Sequence, residues 1–460
     1  MLLPTQFGFR ENKSTNDAIF ALRNVIDNTS DELFCCFIDL KAAYDWIDRD
    51  MLFKVLEYRL KAPRLVNILK CIYTGTTAAI KSSTSIFNTL SGCRQGGMES
   101  PCLFNIYLDF VLRCIINKIE CAMVDPGIAI NYAIPAACSN RLQRRNSPLQ
   151  GSMRLIQLCY ADDIVFFAKS VKELQTMIDI FDSEFQRFGL TISILKTKTM
   201  CFNAASDIMS STSLASLKNE EIENVGKFTY LGHTLSNDPS EHSAFIYQRV
   251  ASAYAKWNDL KQVLTDKRVF LTTRMKFLSA CVRSRLTYSV QTGMLNAIET
   301  TKLESIWMNF LRRLVKKGFE RENVPPSRRR TRSRASRSSR SSQSEPTENA
   351  EDDIDWRFKL TNERILNITK SEPISKFCLG QHLKYIAHVT RLPNSSIQKQ
   401  LLFRTNRKRY VRDPWNKYEQ VTGISKIQLQ REMQNKQQFM SFLDDVLDIH
   451  RAATTNRGNR

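Results

Sequence analysis

The sequence predicts an α+β fold in which helices pack against an antiparallel sheet, on three observations. Short aromatic and β-branched runs such as "LFCCFIDL" (33–40) are continuously apolar, as in strands covered on both faces. Stretches with helical spacing lie between them in mixed order. With 460 residues, 42% hydrophobic and 25% charged, the chain has material for two or three domains and a sizeable core.

Taken in order, residues 15–30 carry helical spacing and 33–40 read as a buried strand. Residues 49–73 read as a helix starting after Asp48, a good N-cap, with Leu52, Val55, Leu56, Ile68, Leu69 and Ile72 as its apolar positions. An apolar helix follows Pro101, and a strand, "GIAINYAI", begins at Gly127. A polar loop containing Arg141, Arg144 and Arg145 leads to "LCYADDIVFFA" (158–168), two short strands with Asp162 and Asp163 at the tip between them. The segment "VKELQTMIDIFDSEFQRFG" is an amphipathic helix ending at Gly189, and "KTKTMCF" (196–202) is another strand.

From Glu241 to Phe319 the pattern predicts three long helices bearing Arg249, Lys256, Lys261, Arg274, Lys276, Arg283, Arg285, Arg312, Arg313, Lys316 and Lys317, a separate basic module. The stretch "PPSRRRTRSRASRSSRSSQSEPTENAEDD" has almost no apolar residues to offset its ordering entropy, which predicts a disordered linker. A solvated spacer and a nucleic-acid, nuclear-import or phosphorylation segment both fit it. A final helical region runs from about Ile354 and contains the basic "RTNRKRYVRDPW".

A formal net charge of +21 favours a polyanionic partner, nucleic acid ahead of anionic membrane because no basic amphipathic anchor stands out. Twelve cysteines without CxxC pairs read as small core residues in a reducing compartment, with neither disulfides nor zinc expected. His382 and His388 lie near Cys378 but lack zinc-ligand spacing, so they read as structural. No apolar stretch approaches the ~18 residues of a membrane span and no signal-peptide core opens the chain, which predicts an intracellular protein with no membrane partner.

The adjacent Asp162 and Asp163 admit two readings. Aspartate at a turn is ordinary, because its side chain bonds its own backbone and tolerates unusual dihedrals. Alternatively, clustered carboxylates repel, and bound cations such as Mg²⁺ relieve the repulsion. The choice needs a third acid, and Asp39 at the end of the 33–40 strand supplies a candidate.

Asp39 on its strand, the "RQG...SP.LFN" pattern within "SGCRQGGMESPCLFNIYLDFVL" and the "YADD" hairpin follow one another in the order in which a reverse transcriptase carries its motifs A, B and C. More narrowly, "QFGFRENKSTNDAI", "GLTISILKTKT", "KFTYLGHTLS" and "RSRLTYSVQTG" resemble polymerases of non-LTR (LINE-type) retrotransposons. The likeness runs from Gln6 to Phe319 and continues more weakly through "HLKYIAHVTRLP" and "RKRYVRDPW".

That resemblance implies a right-hand polymerase palm with antiparallel sheet and packed helices, then a helical thumb and a helical C-terminal region. The corresponding division is 1–34 as a remnant of the fingers and palm entry, 35–205 as palm, 206–320 as primer grip and basic thumb, 321–353 as linker and 354–460 as a basic helical region. It implies an RNA-directed DNA polymerase working on an RNA template, a DNA primer or target and dNTPs. Two Mg²⁺ ions roughly 4 Å apart, or Mn²⁺ in their place, would be held by Asp39 and Asp162, with Asp163 supporting or ligating.

Tyr44, five residues after Asp39, takes the place of the family's aromatic gate beneath the incoming sugar, which favours deoxynucleotides over an RNA-polymerase reading; a core tyrosine is the alternative. Gln95 and Gly96 resemble the pair that contacts the nascent base pair and template, with Ser100-Pro101 opening the next helix and Phe104-Asn105 continuing the pattern. Lys196 occupies the position of a lysine that meets the leaving pyrophosphate, or is a surface lysine. Phe228, Leu231 and Gly232 resemble a primer-grip turn, or any hairpin; Arg10 and Lys13 resemble remnants of a triphosphate-gripping surface. Gly97, where relatives commonly carry an acid, the added Glu99, and Ser193, where they often carry Asn, are departures. Met1 stands just before "QFGFR", so a copy truncated at its N-terminus, without endonuclease and with incomplete fingers, is the expectation. A polymerase-derived nucleic-acid-binding protein that has lost catalysis is the rival reading, and the oligomeric state is left open.

Overall fold

The structure, a computed structural model, describes residues 2–79, 86–94, 96–139, 147–238, 243–319, 361–406 and 413–457. Its centre is an antiparallel four-stranded sheet in the order Gln157–Tyr160, Asp163–Ala168, Leu33–Ile38, Lys198–Phe202. Alternate residues of the central Leu33–Ile38 strand serve two cores: Phe34, Cys36 and Ile38 pack in one, Leu33, Cys35 and Phe37 in the other. The strand is therefore apolar throughout instead of alternating.

Helices Ser100–Ala122 and Val171–Arg187 cover the first face through residues such as Leu103, Phe104, Leu174 and Phe181. Helix Thr15–Asn28 covers the second with Ala18, Ala21, Leu22 and Val25, joined by Tyr230, Leu235, Ile397 and Leu401. The chain is thus α+β, as the mixed order of segments predicts.

The reading of 49–73 as one helix is corrected. Residues 49–73 form two helices, Arg49–Leu60 and Pro63–Tyr73. Asp48 does cap the first, its carboxylate accepting from the Met51 N–H at 2.7 Å. The break comes at Lys61, whose left-handed φ of +50° ends one helix just ahead of Pro63, which opens the other. Ile68 and Ile72 consequently face outward, while Leu52, Val55, Leu56 and Leu69 are buried.

The structure forms two compact units, one of residues 1–245, 289–294 and 379–460, the other of 246–288 and 295–378. Within the first unit Leu383, Ile386, Trp415 and Leu429 share a core with Phe20 and Ile134, and the Ala133 N–H bonds the Phe403 carbonyl at 3.0 Å. Residues so far apart in sequence share a core without any local signal announcing it.

In the second unit two long helical stretches appear, Ala244–Asp259, which enters it at residue 246, and Ala297–Phe319, with Trp257 stacked on Phe310. The expected third breaks into Lys261–Thr265, Leu271–Phe277 and a π-helical turn, Leu278–Arg283. Several cations of the expected basic surface are structural. Arg274 is buried and donates to the carbonyls of Leu264, Val269 and Leu314, while buried Arg249 lies over the Tyr288 ring. Arg141, Arg144, Arg145 and the 321–353 linker lie outside the described residues.

Candidate active site

The sheet's register assembles what the sequence could only list. Ile38 pairs with Ile164 and Phe37 with Lys198, both antiparallel. The first ladder ends one residue short of Asp39 and Asp163, whose charges interact. Beyond the second, the register shifts to pair Leu40 with Ile192, and residues 194–196 turn out of the ladder, carrying Lys196 toward Asp39. Asp39 and Asp163 thus gather at one end of the sheet, with Asp162 at the adjoining hairpin tip and Lys196 on the neighbouring turn. Lys196 Nζ is 3.5 Å from Asp39 Oδ2.

Asp39 is fixed at both backbone groups. Its N–H donates to Thr197 Oγ1 at 3.2 Å and its carbonyl accepts from the Ser193 N–H at 2.8 Å, so the 193–197 turn that carries Lys196 also frames the acid. Ser193 acts here through its backbone, which any residue supplies. Asp39 Oδ2 is buried and has no hydrogen-bond partner.

Electrostatically this end of the sheet is short of positive charge. Asp163 is pushed up to about 6, by desolvation first and then by Asp162 and Asp39. Asp162 is raised by desolvation and by Asp39, against its own backbone hydrogen bond and Lys196, which lower it. Among the described residues no three acidic, histidine or cysteine side chains close on a common point tightly enough to hold a metal unaided. Mg²⁺ is usually bound through one or two carboxylates with substrate phosphates completing the shell, and Asp39, whose Oδ2 accepts no hydrogen bond, together with its electrostatic neighbour Asp162 fits that partial donor set.

Asp162 and Tyr44 face a depression of about 340 Å³, also lined by Phe9, Arg94, Gly96, Gly97, Ser100 and Pro101. Tyr44 stacks on Phe104 with ring centroids 4.3 Å apart, so the "LFN" phenylalanine props the Tyr44 ring. Its hydroxyl has no hydrogen-bond partner and is pushed up to about 12 by desolvation, then by Asp162 and Cys93. Gly96 has φ +81° with open space where a Cβ would sit, a conformation that favours glycine. Gln95 lies outside the described residues.

Glu99 folds back over Gly97, where an added Cβ would stand 2.7 Å from its Oε1. Any side chain at 97 would therefore require the Glu99 carboxylate and the Ser100 hydroxyl to shift.

Arg10 is not among the residues lining the depression. Its guanidinium donates to the Leu3 and Gln6 carbonyls at 2.8 and 2.9 Å. Lys13 bonds Gln398 Oε1 at 3.0 Å. Phe228 stacks on Phe37 at 4.2 Å, and Leu231 and Gly232 form a two-residue hairpin turn with φ +47° and +77°, the backbone of a type I′ turn. Asp45 lies in the exposed turn after Asp39.

Sequence reasoning quoted Gln6, Gly8, Asn105 and Thr197 within motifs but gave none of them a role of its own. The Asn105 amide donates to the Gly8 carbonyl at 2.7 Å, tying the helix after Pro101 to the chain's first turn. Buried His382, by contrast, is structural, bonding the Gln291 carbonyl and the Tyr418 hydroxyl, and desolvation lowers it to about 4. All twelve cysteines carry free thiols. Among the described residues no helix is long and apolar enough to cross a membrane.

Residues 1–235 match the family model "Reverse transcriptase (RNA-dependent DNA polymerase)". The chain belongs to the reverse transcriptase family. It is 32% identical over 117 residues to the putative COX1/OXI3 intron 2 protein of Saccharomyces cerevisiae, covering 25% of this chain and 13% of that one. It is 23% identical over 171 residues to the retrovirus-related Pol polyprotein from type-1 retrotransposable element R2 of Nasonia vitripennis, covering 36% and 14%. The second relative agrees with the non-LTR resemblance of the motifs. This reverse transcriptase chain therefore matches only 13–14% of the length of those two relatives. Among solved structures it is similar to telomerase from Candida tropicalis in complex with a fragment of telomeric RNA, at 14% identity and a TM-score of 0.35 over 86% of this chain and 52% of that one. Telomerase from Candida albicans gives 10% identity and a TM-score of 0.32 over 69% and 49%. At these scores the likeness carries no weight for function.

Proposed function

We propose that this chain is an RNA-directed DNA polymerase of the non-LTR type, joining dNTPs to the 3′-hydroxyl of a DNA primer on an RNA template. The observation that supports it most is the cluster of acids at the sheet end, where Lys196 stands 3.5 Å from Asp39 and Asp162 and Asp163 are both held above their ordinary range. In this reading residues 1–34 are a remnant of the fingers and palm entry, 35–205 a palm, 206–320 a primer grip and basic thumb, 321–353 a linker and 354–460 a helical basic C-terminal region.

Asp39 and Asp162 would hold two Mg²⁺ ions, with Asp163 in support and the substrate's phosphate oxygens completing the donor set. Bound there, the metal supplies Lewis-acid stabilisation of the attacking and leaving oxygens. The chain does the positioning. Tyr44, backed by Phe104, forms a flat floor under the sugar that leaves no room for a 2′-hydroxyl. Gly96 lets the template strand approach the backbone, together with Gln95. Lys196, exposed and beside Asp39, neutralises or protonates the departing pyrophosphate. The Phe228, Leu231 and Gly232 turn steadies the primer end.

Primer extension on poly(rA)/oligo(dT) with dTTP and Mg²⁺ tests the reading. Extension that vanishes in Asp162→Asn is the expected result. A folded protein that binds primer-template and never extends it makes the chain a binding protein instead.

A further inference from the structure

The hairpin that carries Asp162 is held by a side chain 155 residues away. Gln6 is 1% exposed, and its Oε1 accepts from the Ala161 N–H at 3.0 Å and from the Gly8 N–H at 2.9 Å. Its Nε2 donates to the Ala161 carbonyl at 3.3 Å. One amide thereby satisfies both backbone polar groups of the residue that precedes Asp162. Ala161 is buried and adopts φ +57°, a region that L side chains other than Asn and Asp rarely enter.

Such a turn persists only where its surroundings over-determine it. Those surroundings are specific. Residues 5–7 run parallel to the hairpin's first strand, the Phe7 N–H bonding the Cys159 carbonyl at 2.8 Å and the Cys159 N–H bonding the Thr5 carbonyl at 2.9 Å. A Cβ at Gly8 would overlap the Ala161 nitrogen, so glycine lets the two backbones meet. Asn105 holds the Gly8 carbonyl from the other side.

We propose that Gln6 is a positioning residue for the Asp162 carboxylate, acting through Ala161, and that it sets the affinity of the acidic sheet end for a divalent cation; this rests on the polymerase reading of that site. Without the amide, Ala161 loses the contact that fixes its dihedrals, buried polar groups are left unpaired, and Asp162 is no longer held toward Asp39. Outer-sphere partners of this kind typically change metal affinity 10- to 100-fold.

The test uses the full chain, Mn²⁺ alone as probe, and the residual free-ion EPR signal as readout, with Asp162→Asn defining the site. Gln6→Met, of similar length with no polar atoms, is expected to weaken Asp162-dependent Mn²⁺ binding about tenfold or more. Hydrogen exchange at the Ala161 amide should accelerate while primer-template affinity holds. Gln6→Asn keeps the polarity but falls one methylene short, and should show the same losses if Gln6→Met does not fold. Where extension is measurable, kcat should fall with the KM for dTTP unchanged. Unaltered Mn²⁺ affinity and Ala161 exchange in a folded variant overturn the proposal, as does a wild-type chain with no Mn²⁺ binding that Asp162→Asn removes. Mn²⁺ binding that depends on Gln6 in a chain that never extends a primer would instead retire the polymerase reading and leave Gln6 in its role.

Discussion

Asp109 and Asp162 are both acids set against the apolar core of the first unit, and the chain treats them in opposite ways. Asp109 is 1% exposed, with Arg59 Nη2 at 2.7 Å, Arg113 Nε at 2.9 Å and the Leu3 N–H also donating to it. Asp162 has two acids as electrostatic neighbours, Asp39 and Asp163, and Lys196 as its one opposing cation among the interactions that shift it. A carboxylate that serves the fold is neutralised by the chain's own cations. Where several are gathered and left short of positive charge, the missing charge is supplied from outside, and at this sheet end a divalent ion with substrate phosphates is the proposed supply.

The largest expected effect breaks the comparison on the functional side. Asp162→Asn removes a proposed metal ligand and should lower primer extension by about 10³-fold or more, since such electrostatic stabilisation is worth several kcal/mol. It also removes repulsion, so the melting temperature in metal-free buffer should hold or rise. Calorimetry and extension on the same preparation check both, and wild-type extension by Asp162→Asn would empty the site of its assigned role.

Asp109→Asn should do the reverse. Removing one partner strands Arg59 and Arg113 beside the core and should cost about 3 kcal/mol of stability, a buried pair broken on one side being worth about 3–5 kcal/mol and Arg113 being partly solvated. Extension per folded molecule at low temperature should stay near wild type. Urea unfolding measures the first and active-fraction assays the second. A stable, inactive Asp109→Asn protein would show that the two acids are not the opposites described.

Tyr44→Ala opens the floor of the depression without touching either acid. Relief of one steric clash is worth about 1–3 kcal/mol, so incorporation of rNTP relative to dNTP should rise about 5- to 150-fold. An unchanged ratio would return Tyr44, with Phe104 stacked on it, to the ordinary core.

How much of this was legible beforehand differs between elements for a physical reason. The strands at 33–38 and 157–168 and the helix at 171–187 could be read because their signals are local: a short β-branched and aromatic run, or a 3.6-residue repeat closed by glycine. The three acids could be nominated because residue type and order persist in the chain. The meeting of Asp163, Asp39 and Lys196 could not, because it depends on strand pairing and on a turn between distant segments. Gln6 opens the "QFGFR" motif, but nothing in that motif says what its amide holds until Ala161 is folded against it. The second unit misled in the other direction. A count of arginines says nothing of which are spent on carbonyls, as Arg274 is, or on rings, as Arg249 is. The break at Lys61 was readable from Pro63 two residues on, and marks where helical spacing alone overreaches.

The smallest expected effect sharpens the comparison through pH. Asp163 is raised to about 6 from an ordinary 3.8, by desolvation and then by Asp162 and Asp39. Between those values the folded chain keeps a proton that the unfolded chain has released. Stability therefore falls as pH rises through that window: the contribution is present below about 4 and lost above about 6, opposite to a salt-bridged carboxylate. Asp163→Asn should flatten the decline in melting temperature across this window without abolishing it, because Asp162 is raised as well. The change should be modest, since the Asp163 side chain is exposed and solvent screens it. Saturating Mg²⁺ should reverse the sign, because a cation at Asp39 and Asp162 favours the ionised carboxylates and binds better as protons leave. Asp109, already paired with two arginines, offers the control, its surroundings giving Mg²⁺ no role. Identical slopes for wild type and Asp163→Asn, with and without Mg²⁺, would mean that the acids at the sheet end are as well compensated as Asp109, and the contrast between the two sites would fail.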